Sequence, residues 1–221
     1  MNSRIDMQGV GMTSARTRAR LIARLRQQGI SDETVLEVMQ AVPRHLFVDE
    51  ALSHRAYEDS ALPIGFNQTI SQPYTVARMT ELLLEGRRPA RVLEIGTGCG
   101  YQAAVLSALV DQIFTIERIG GLAEKARRTL SDIGAMNVVQ RHNDGANGWA
   151  ERGPFDGMLI TASPHQIPPA LFAQLSEGGR MILPLDTDGE QYLTRVTRIQ
   201  GDMSVETIEP AKFVPLLGGS E

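Results

Sequence analysis

Apolar residues recur along this chain with two different periods, and the change of period divides it. From Thr13 to Gln28, Ala15, Ala19, Ile22 and Leu25 recur at helical spacing and predict an amphipathic helix closed by Gly29. Ser31 is the expected N-cap of a second helix, Asp32–Ala41, with Val35, Leu36 and Met39 inward and Val42-Pro43 ending it. Residues 56–72, marked by Pro63, Gly65 and Asn67, are expected to be irregular. A third helix over Pro73–Leu84 collects Val76, Met79 and Leu83 on one face.

After Gly86 short apolar runs alternate with helical ones. Strands are expected at Ala90–Ile95, Gln112–Glu117, Val138–Arg141, Gly157–Thr161 and Arg180–Leu185. Helices are expected at Tyr101–Leu109, along Leu122, Ala126, Leu130 and Ile133, and at Ile167–Leu175. Tyr192–Ile199 and Ser204–Val214 read as an antiparallel hairpin turning at Gly201-Asp202. Strands separated by helices imply right-handed crossovers and a parallel sheet covered on both faces. The expected fold is therefore α/β, a doubly wound, mostly parallel, Rossmann-like sheet with an N-terminal helical cap and a C-terminal hairpin. Residues 1–12 are expected to be a flexible leader. A single domain over 13–221 would divide into a cap with an active-site segment (13–86), a cofactor-binding core (87–185) and C-terminal strands (186–221).

Charge narrows the partners. With 22 Lys and Arg against 26 Asp and Glu, the net charge of −4 weighs against general attraction to nucleic acid or an anionic membrane. Arg16, Arg18, Arg20, Arg24 and Arg26 read as a solvated helix face. No apolar run is long enough to cross a bilayer, and the single cysteine, Cys99, suits a reducing compartment, so a cytoplasmic location is expected; a monomer is the expected state. His45, His54, His142 and His165 lack ligand spacing, and no metal is expected.

Gly96-Thr97-Gly98-Cys99-Gly100 lies between the first of the alternating strands and its helix, where open α/β sheets bind ligands. Tyr101 occupies the position that a dinucleotide fingerprint gives to glycine or alanine, which disfavours a pyrophosphate and a nicotinamide oxidoreductase. Glu94 directly precedes the turn and could meet a cationic amino-acid group, directly or through water. Glu117 ends the next strand, where a carboxylate can accept bonds from ribose hydroxyls. Asp144, followed by Gly145, could accept from an adenine amine; an Asp-Gly turn is the equal alternative. These features together fit S-adenosylmethionine. Trp149 reads as a core residue near that loop.

The chain resembles the protein-L-isoaspartate O-methyltransferase family, a class of S-adenosylmethionine-dependent enzymes, from about Arg16 to Leu216. The resemblance is carried by Leu62-Pro63-Ile64-Gly65, Gln68-Thr69-Ile70-Ser71-Gln72-Pro73, Val92–Gln102 and Phe213-Val214-Pro215-Leu216. Val42–Val48, Tyr57 with Asp59, and Thr115–Arg118 support it. It implies methyl transfer to the α-carboxylate of isoaspartyl residues in damaged proteins and peptides, giving S-adenosylhomocysteine and an ester that closes to a succinimide and reopens partly to aspartate. It further implies Ser71 as the active-site residue, with Thr69, Ile70, Ser71, Glu94, Gly96, Gly98, Gly100, Glu117, Arg118, Asp144 and Gly145 at the cofactor. Ile64, Gly65, Val214, Pro215 and Leu216 would meet the substrate. Cys99 replaces the usual serine and Asn143 the first glycine of Gly-Asp-Gly.

An ionised carboxylate attacking a sulfonium needs no strong base, which agrees with the lack of any His–Asp or Cys–His pattern. Such an enzyme has to align the reactants and exclude water. For Ser71 the alternative is a helix N-cap. A methyltransferase acting on a small molecule or nucleic acid would lack the Thr-Ile-Ser and Val-Pro-Leu segments. A noncatalytic binding module would be expected to have lost Ser71 or the glycine turn.

Overall fold

The computed structural model describes residues 11–221. The first ten residues of the expected leader lie outside the described residues. Helices α1 (Ala15–Gln27), α2 (Glu33–Ala41) and α3 (Pro73–Leu84) form the cap, with short 3-10 turns between α2 and the first strands. On α1 the buried stripe is Arg18, Leu21, Ile22 and Leu25, while Ala15 and Ala19 face solvent. The expected stripe was therefore rotated, because two of its alanines are small enough to leave outside. The arginines are not one solvated face either. Arg18 is buried, and Arg24 donates to the Tyr57 carbonyl at 3.0 Å. Arg26 stays exposed in an ion pair with Glu33.

The N-cap of α2 is Asp32, not Ser31; its carboxylate accepts from the amides of Thr34 and Val35. Ser31 instead serves Glu81 of α3. Glu81 Oε1 accepts from the Ser31 amide (2.7 Å), the Asp32 amide (2.9 Å) and Ser31 Oγ (3.0 Å). One buried carboxylate thus fastens the start of α2 to α3.

Residues 56–72 are more ordered than their glycine and proline content suggests. Strands β1 (Leu62–Gly65) and β2 (Gln68–Ile70) pair antiparallel across Phe66 and Asn67, whose φ values are 53° and 56°. Two successive positive φ angles make the turn that matches strand twist, but its usual Asn-Gly signature is absent here. Phe66 is 60% exposed at the tip and packs on Gly121, where an added Cβ would stand 2.4 Å from its ring.

The main sheet has the order β5-β4-β3-β6-β7-β8-β9, formed by β3 (Arg91–Ile95), β4 (Gln112–Glu117), β5 (Val138–His142), β6 (Phe155–Ile160), β7 (Leu175–Thr187), β8 (Glu190–Ile199) and β9 (Asp202–Pro210). Strands β3 to β7 pair in parallel, and β8 and β9 add antiparallel. Helices α4 (Tyr101–Ser107), α5 (Gly120–Asp132) and α6 (Pro169–Ala173) complete the domain. Helix α6 is shorter than expected because β7 already begins at Leu175.

Both sheet faces are covered, so the strands alternate between two cores. Val92, Leu159 and Ile182 enter the core under α1–α3, while Leu93, Met158, Ile160, Met181 and Leu183 enter the other. Trp149 packs in the second core, edge-on to Phe114 at 5.8 Å, as a core residue. The neighbours of β3 are β4 on one side and β6 on the other, so the order reverses there. This is where a crevice opens beyond the strand ends.

Burial alone would raise the Glu81 carboxyl, but the amides of Ser31 and Asp32, the Ser31 hydroxyl and Arg78 hold it below its ordinary value. A carboxyl lowered in the folded state stabilises fully above its unfolded value of 4.5 and loses that contribution as pH falls through the lowered value. Glu81→Ala should cost ~2 kcal/mol at pH 7. In denaturant titrations the gap to the parent should narrow below pH 4.5; a gap independent of pH would contradict this account.

Candidate functional site

Two adjoining cavities meet beyond the carboxyl ends of β3, β4 and β6. The first, about 100 Å³, lies between the β1–β2 hairpin and the glycine-rich turn. The second, about 660 Å³, opens toward Tyr74, Glu209, Lys212 and Phe213. Thr69, Ser71, Thr161 and Val214 line both and form the partition between them.

Strand β4 anchors the turn from Gly96 to Gly100. The Ile116 carbonyl accepts from the amides of Gly96 (2.9 Å) and Thr97 (3.3 Å). Glu117 at the end of β4 accepts from Gly98 N through Oε2 (2.8 Å) and from Ile119 N through Oε1 (3.0 Å). Each oxygen keeps a further lone pair for a ligand hydroxyl. Gly96 is required twice: its φ is +91°, and a Cβ there would stand 2.4 Å from Thr161 Oγ1. Thr161 in turn donates to the Gly96 carbonyl at 2.8 Å, tying β6 to the turn.

Ile64, Thr69, Ile70, Ser71, Gly96, Gly98, Glu117, Arg118, Val214 and Pro215 all line the first cavity. Pairing of Ser163 with the tail, through Ser163 N to Val214 O and Leu216 N to Ser163 O (both 2.8 Å), brings Val214 and Pro215 there. Leu216 packs instead against the second core. Gly65 stands at the hairpin tip and Gly100 faces Leu130 and Ala126 of α5; neither lines the cavity.

Glu94 is also off the wall. It is fully buried beneath the turn, where Thr115 Oγ1 donates to its Oε2 at 2.5 Å and Thr97 Oγ1 lies 2.6 Å from Thr115 Oγ1. Burial pushes the Glu94 carboxyl up to about 8, the Thr115 hydrogen bond opposing and the Glu117 charge adding to it. The other Glu94 oxygen, Oε1, is buried without a hydrogen-bond partner. Asp144 caps a 3-10 turn through Ala146 N and accepts from Gly219 N at 2.8 Å, both backbone contacts of a turn residue. Gly145 packs on Ile95, leaving 2.5 Å for a Cβ. Ser71 is not the N-cap of α3; Gln72 holds that position, and Ser71 Oγ has no hydrogen-bond partner among the described residues.

A sequence model of the family described as protein-L-isoaspartate(D-aspartate) O-methyltransferase matches residues 16–221. The chain is 54% identical over 208 residues to the protein-L-isoaspartate O-methyltransferase of Hahella chejuensis, covering 94% of this chain and 99% of that one. It is also 54% identical to protein-L-isoaspartate O-methyltransferase 1 of Marinobacter nauticus, covering 97% of each. The chain belongs to this family. A solved protein-L-isoaspartate O-methyltransferase superposes with TM-score 0.82 at 28% identity, over 91% of this chain and 66% of the other. A Plasmodium falciparum chain solved with S-adenosyl-L-homocysteine shares the fold, with TM-score 0.81 at 24% identity over 90% of this chain and 98% of its own length.

Three parts of the methyltransferase site escaped the sequence reading. Thr161 could have been found, since it ends a central strand where such sheets bind ligands. The second cavity could not, because Tyr74, Glu209 and Lys212 come from segments far apart in the chain. Arg44, joined to the Ser71 carbonyl at 2.8 Å, gave no signal beyond its place in a motif. Among the described residues no group of His, Cys, Asp or Glu is arranged to hold a metal, and no helix is long and apolar enough to cross a membrane.

Cys99 departs from the expectation for a thiol near a helix start. Burial pushes it up to about 11, although it lies on the cavity wall. Iodoacetamide at pH 8 should therefore leave folded protein unmodified and label it once on denaturation. Rapid labelling of folded protein would refute the protonated, enclosed thiol.

Proposed function

We propose that this chain transfers a methyl group from S-adenosyl-L-methionine to the free α-carboxylate of L-isoaspartyl residues in damaged proteins and peptides, in the cytoplasm and as a monomer. The product ester closes to a succinimide and returns in part to aspartate. The observation that carries this reading is the position of Ser71, a hydroxyl without a partner on the partition between the two cavities.

The first cavity suits a phosphate-free adenosyl cofactor. Its one cation, Arg118, is engaged by Glu221 at 2.7 Å, so no free charge awaits a pyrophosphate. Glu117 would take the ribose hydroxyls, with Thr69, Ile70, Gly96 and Gly98 enclosing the rest. When bound, the sulfonium supplies an activated methyl group. Glu94, Gly100, Asp144 and Gly145 support that wall from behind, holding the turn and the β5 loop in place.

Ser71 can donate one hydrogen bond to a substrate carboxylate without neutralising it. The second cavity is wide enough for extended polypeptide, and Ile64, Val214 and Pro215 shape the passage from it. Leu216 and Gly65 fix the backbone of that passage from its far sides. Gripping backbone rather than particular side chains fits an enzyme that must accept many damaged sequences. The sheltered single cysteine fits a reducing compartment.

The test pairs two peptides that differ only in Asp or isoAsp at one position, with methyl-labelled S-adenosylmethionine. Base-labile label should enter the isoAsp peptide alone; equal labelling of both, or none, would sink the reading. Ser71→Ala should lower turnover by roughly tenfold or more, as loss of one oriented hydrogen bond does. Its S-adenosylhomocysteine affinity, measured by calorimetry, should remain close to the parent's.

A further inference from the structure

Arg44 heads the largest fully buried side chains among the described residues, and no carboxylate is within ion-pair distance of it; Asp59 acts on it only at longer range. It sits in the 3-10 turn Arg44–Phe47 that follows α2. Its Nε donates to the Ala56 carbonyl at 2.9 Å and its Nη2 to the Ser71 carbonyl at 2.8 Å. The guanidinium carbon lies 4.8 Å from the centre of the Tyr101 ring. Nη1 is buried without a hydrogen-bond partner; Asp59 attracts the group from beyond ion-pair distance.

A guanidinium taken out of water with no carboxylate in contact is costly, and a well-packed apolar side chain of similar volume would serve a core better. Burial also depresses its basicity, which is the mark of that cost. The group does something that filler cannot. Tyr101 opens α4 directly after Gly100 and lines the first cavity, and Ser71 stands on the partition opposite. Arg44 touches both from behind. Its planar fork reaches two carbonyls on one edge while its face lies on an aromatic ring, a combination that lysine cannot reproduce.

We propose that Arg44 is a positioning residue for methyl transfer, fixing the Ser71 backbone relative to the helix that carries the glycine-rich turn. The two walls belong to different parts of the fold, the hairpin segment and the α/β core. No backbone ladder joins Ser71 to Tyr101, so their spacing depends on what is packed between them. Transfer is sensitive to that spacing, because a displacement of about 1 Å at the reacting groups costs on the order of a hundredfold in rate. The role rests on the methyltransferase reading above.

The experiment compares Arg44→Lys and Arg44→Met with the parent, alone and combined with Ser71→Ala, using the isoAsp peptide. kcat per folded molecule should fall by about tenfold or more in both single variants, with Arg44→Lys the less affected. The Kd of S-adenosylhomocysteine should stay within about threefold, since most of that wall is untouched. Acting through Ser71, Arg44→Lys should cost much less in the Ser71→Ala background than alone. A role confined to stability would lower the melting temperature and leave kcat per folded molecule within about twofold, and this overturns the proposal. Full additivity with Ser71→Ala overturns it as well. If Arg44→Met does not fold, Arg44→Lys and its cycle decide. An unlabelled parent would overturn the isoaspartyl reading itself; a labelled parent with undiminished variants overturns only the role of Arg44.

Discussion

The turn Gly96–Gly100 can hold its shape only because the carboxyl ends of β3, β4 and β6 take up its polar groups. Ile116 O and Glu117 accept its amides from one side, and Thr161 donates to the Gly96 carbonyl from the other. The hydroxyls of Thr97 and Thr115 pass the same connection down to buried Glu94. Strand pairing fixes these partners in register, Glu94 beside Thr115 and Ile95 beside both Ile116 and Ile160. A short glycine-rich segment thereby becomes one wall of the crevice.

The opposite wall is assembled by different means. The β1–β2 hairpin is too small to be stable alone and relies on its surroundings. Ile64 reaches toward Gly98, Phe66 seats on Gly121, and Arg44 holds the chain at Ser71. The cap is secured in turn by Glu81, which joins α2 to α3. The tail then pairs with Ser163 and closes the crevice at Val214 and Pro215. The geometry of the crevice is thus set by contacts between segments distant in sequence, and Ser71 stands where the two cavities meet.

The alternating strands and helices were legible because both faces of the sheet are buried and each strand is a short apolar run. The glycine-rich turn was legible because few structures need that glycine spacing. Other features were hidden for identifiable reasons. Phe66-Asn67 adopts a hairpin turn with neither residue being glycine, so 56–72 looked irregular. Glu94 was placed at the cofactor because sequence order shows that it precedes the turn, but not that it points into the core. Leu216 and Val214 look equivalent in Val-Pro-Leu, yet Val214 lines the first cavity while Leu216 packs against the second core. Arg18 read as a surface charge and Arg44 only as part of a motif, since nothing local announces that a buried carbonyl will receive an arginine.

The central claim is that the two cavities are one reaction site divided at Ser71. A crystal structure of the protein with S-adenosylhomocysteine and an isoaspartyl peptide would test it most directly. The account predicts the nucleoside in the first cavity with its ribose hydroxyls on Glu117, the peptide in the second, and the isoaspartyl carboxylate hydrogen-bonded to Ser71 Oγ facing the cofactor sulfur. A nucleoside bound away from Glu117, or a carboxylate that never reaches Ser71, would contradict it.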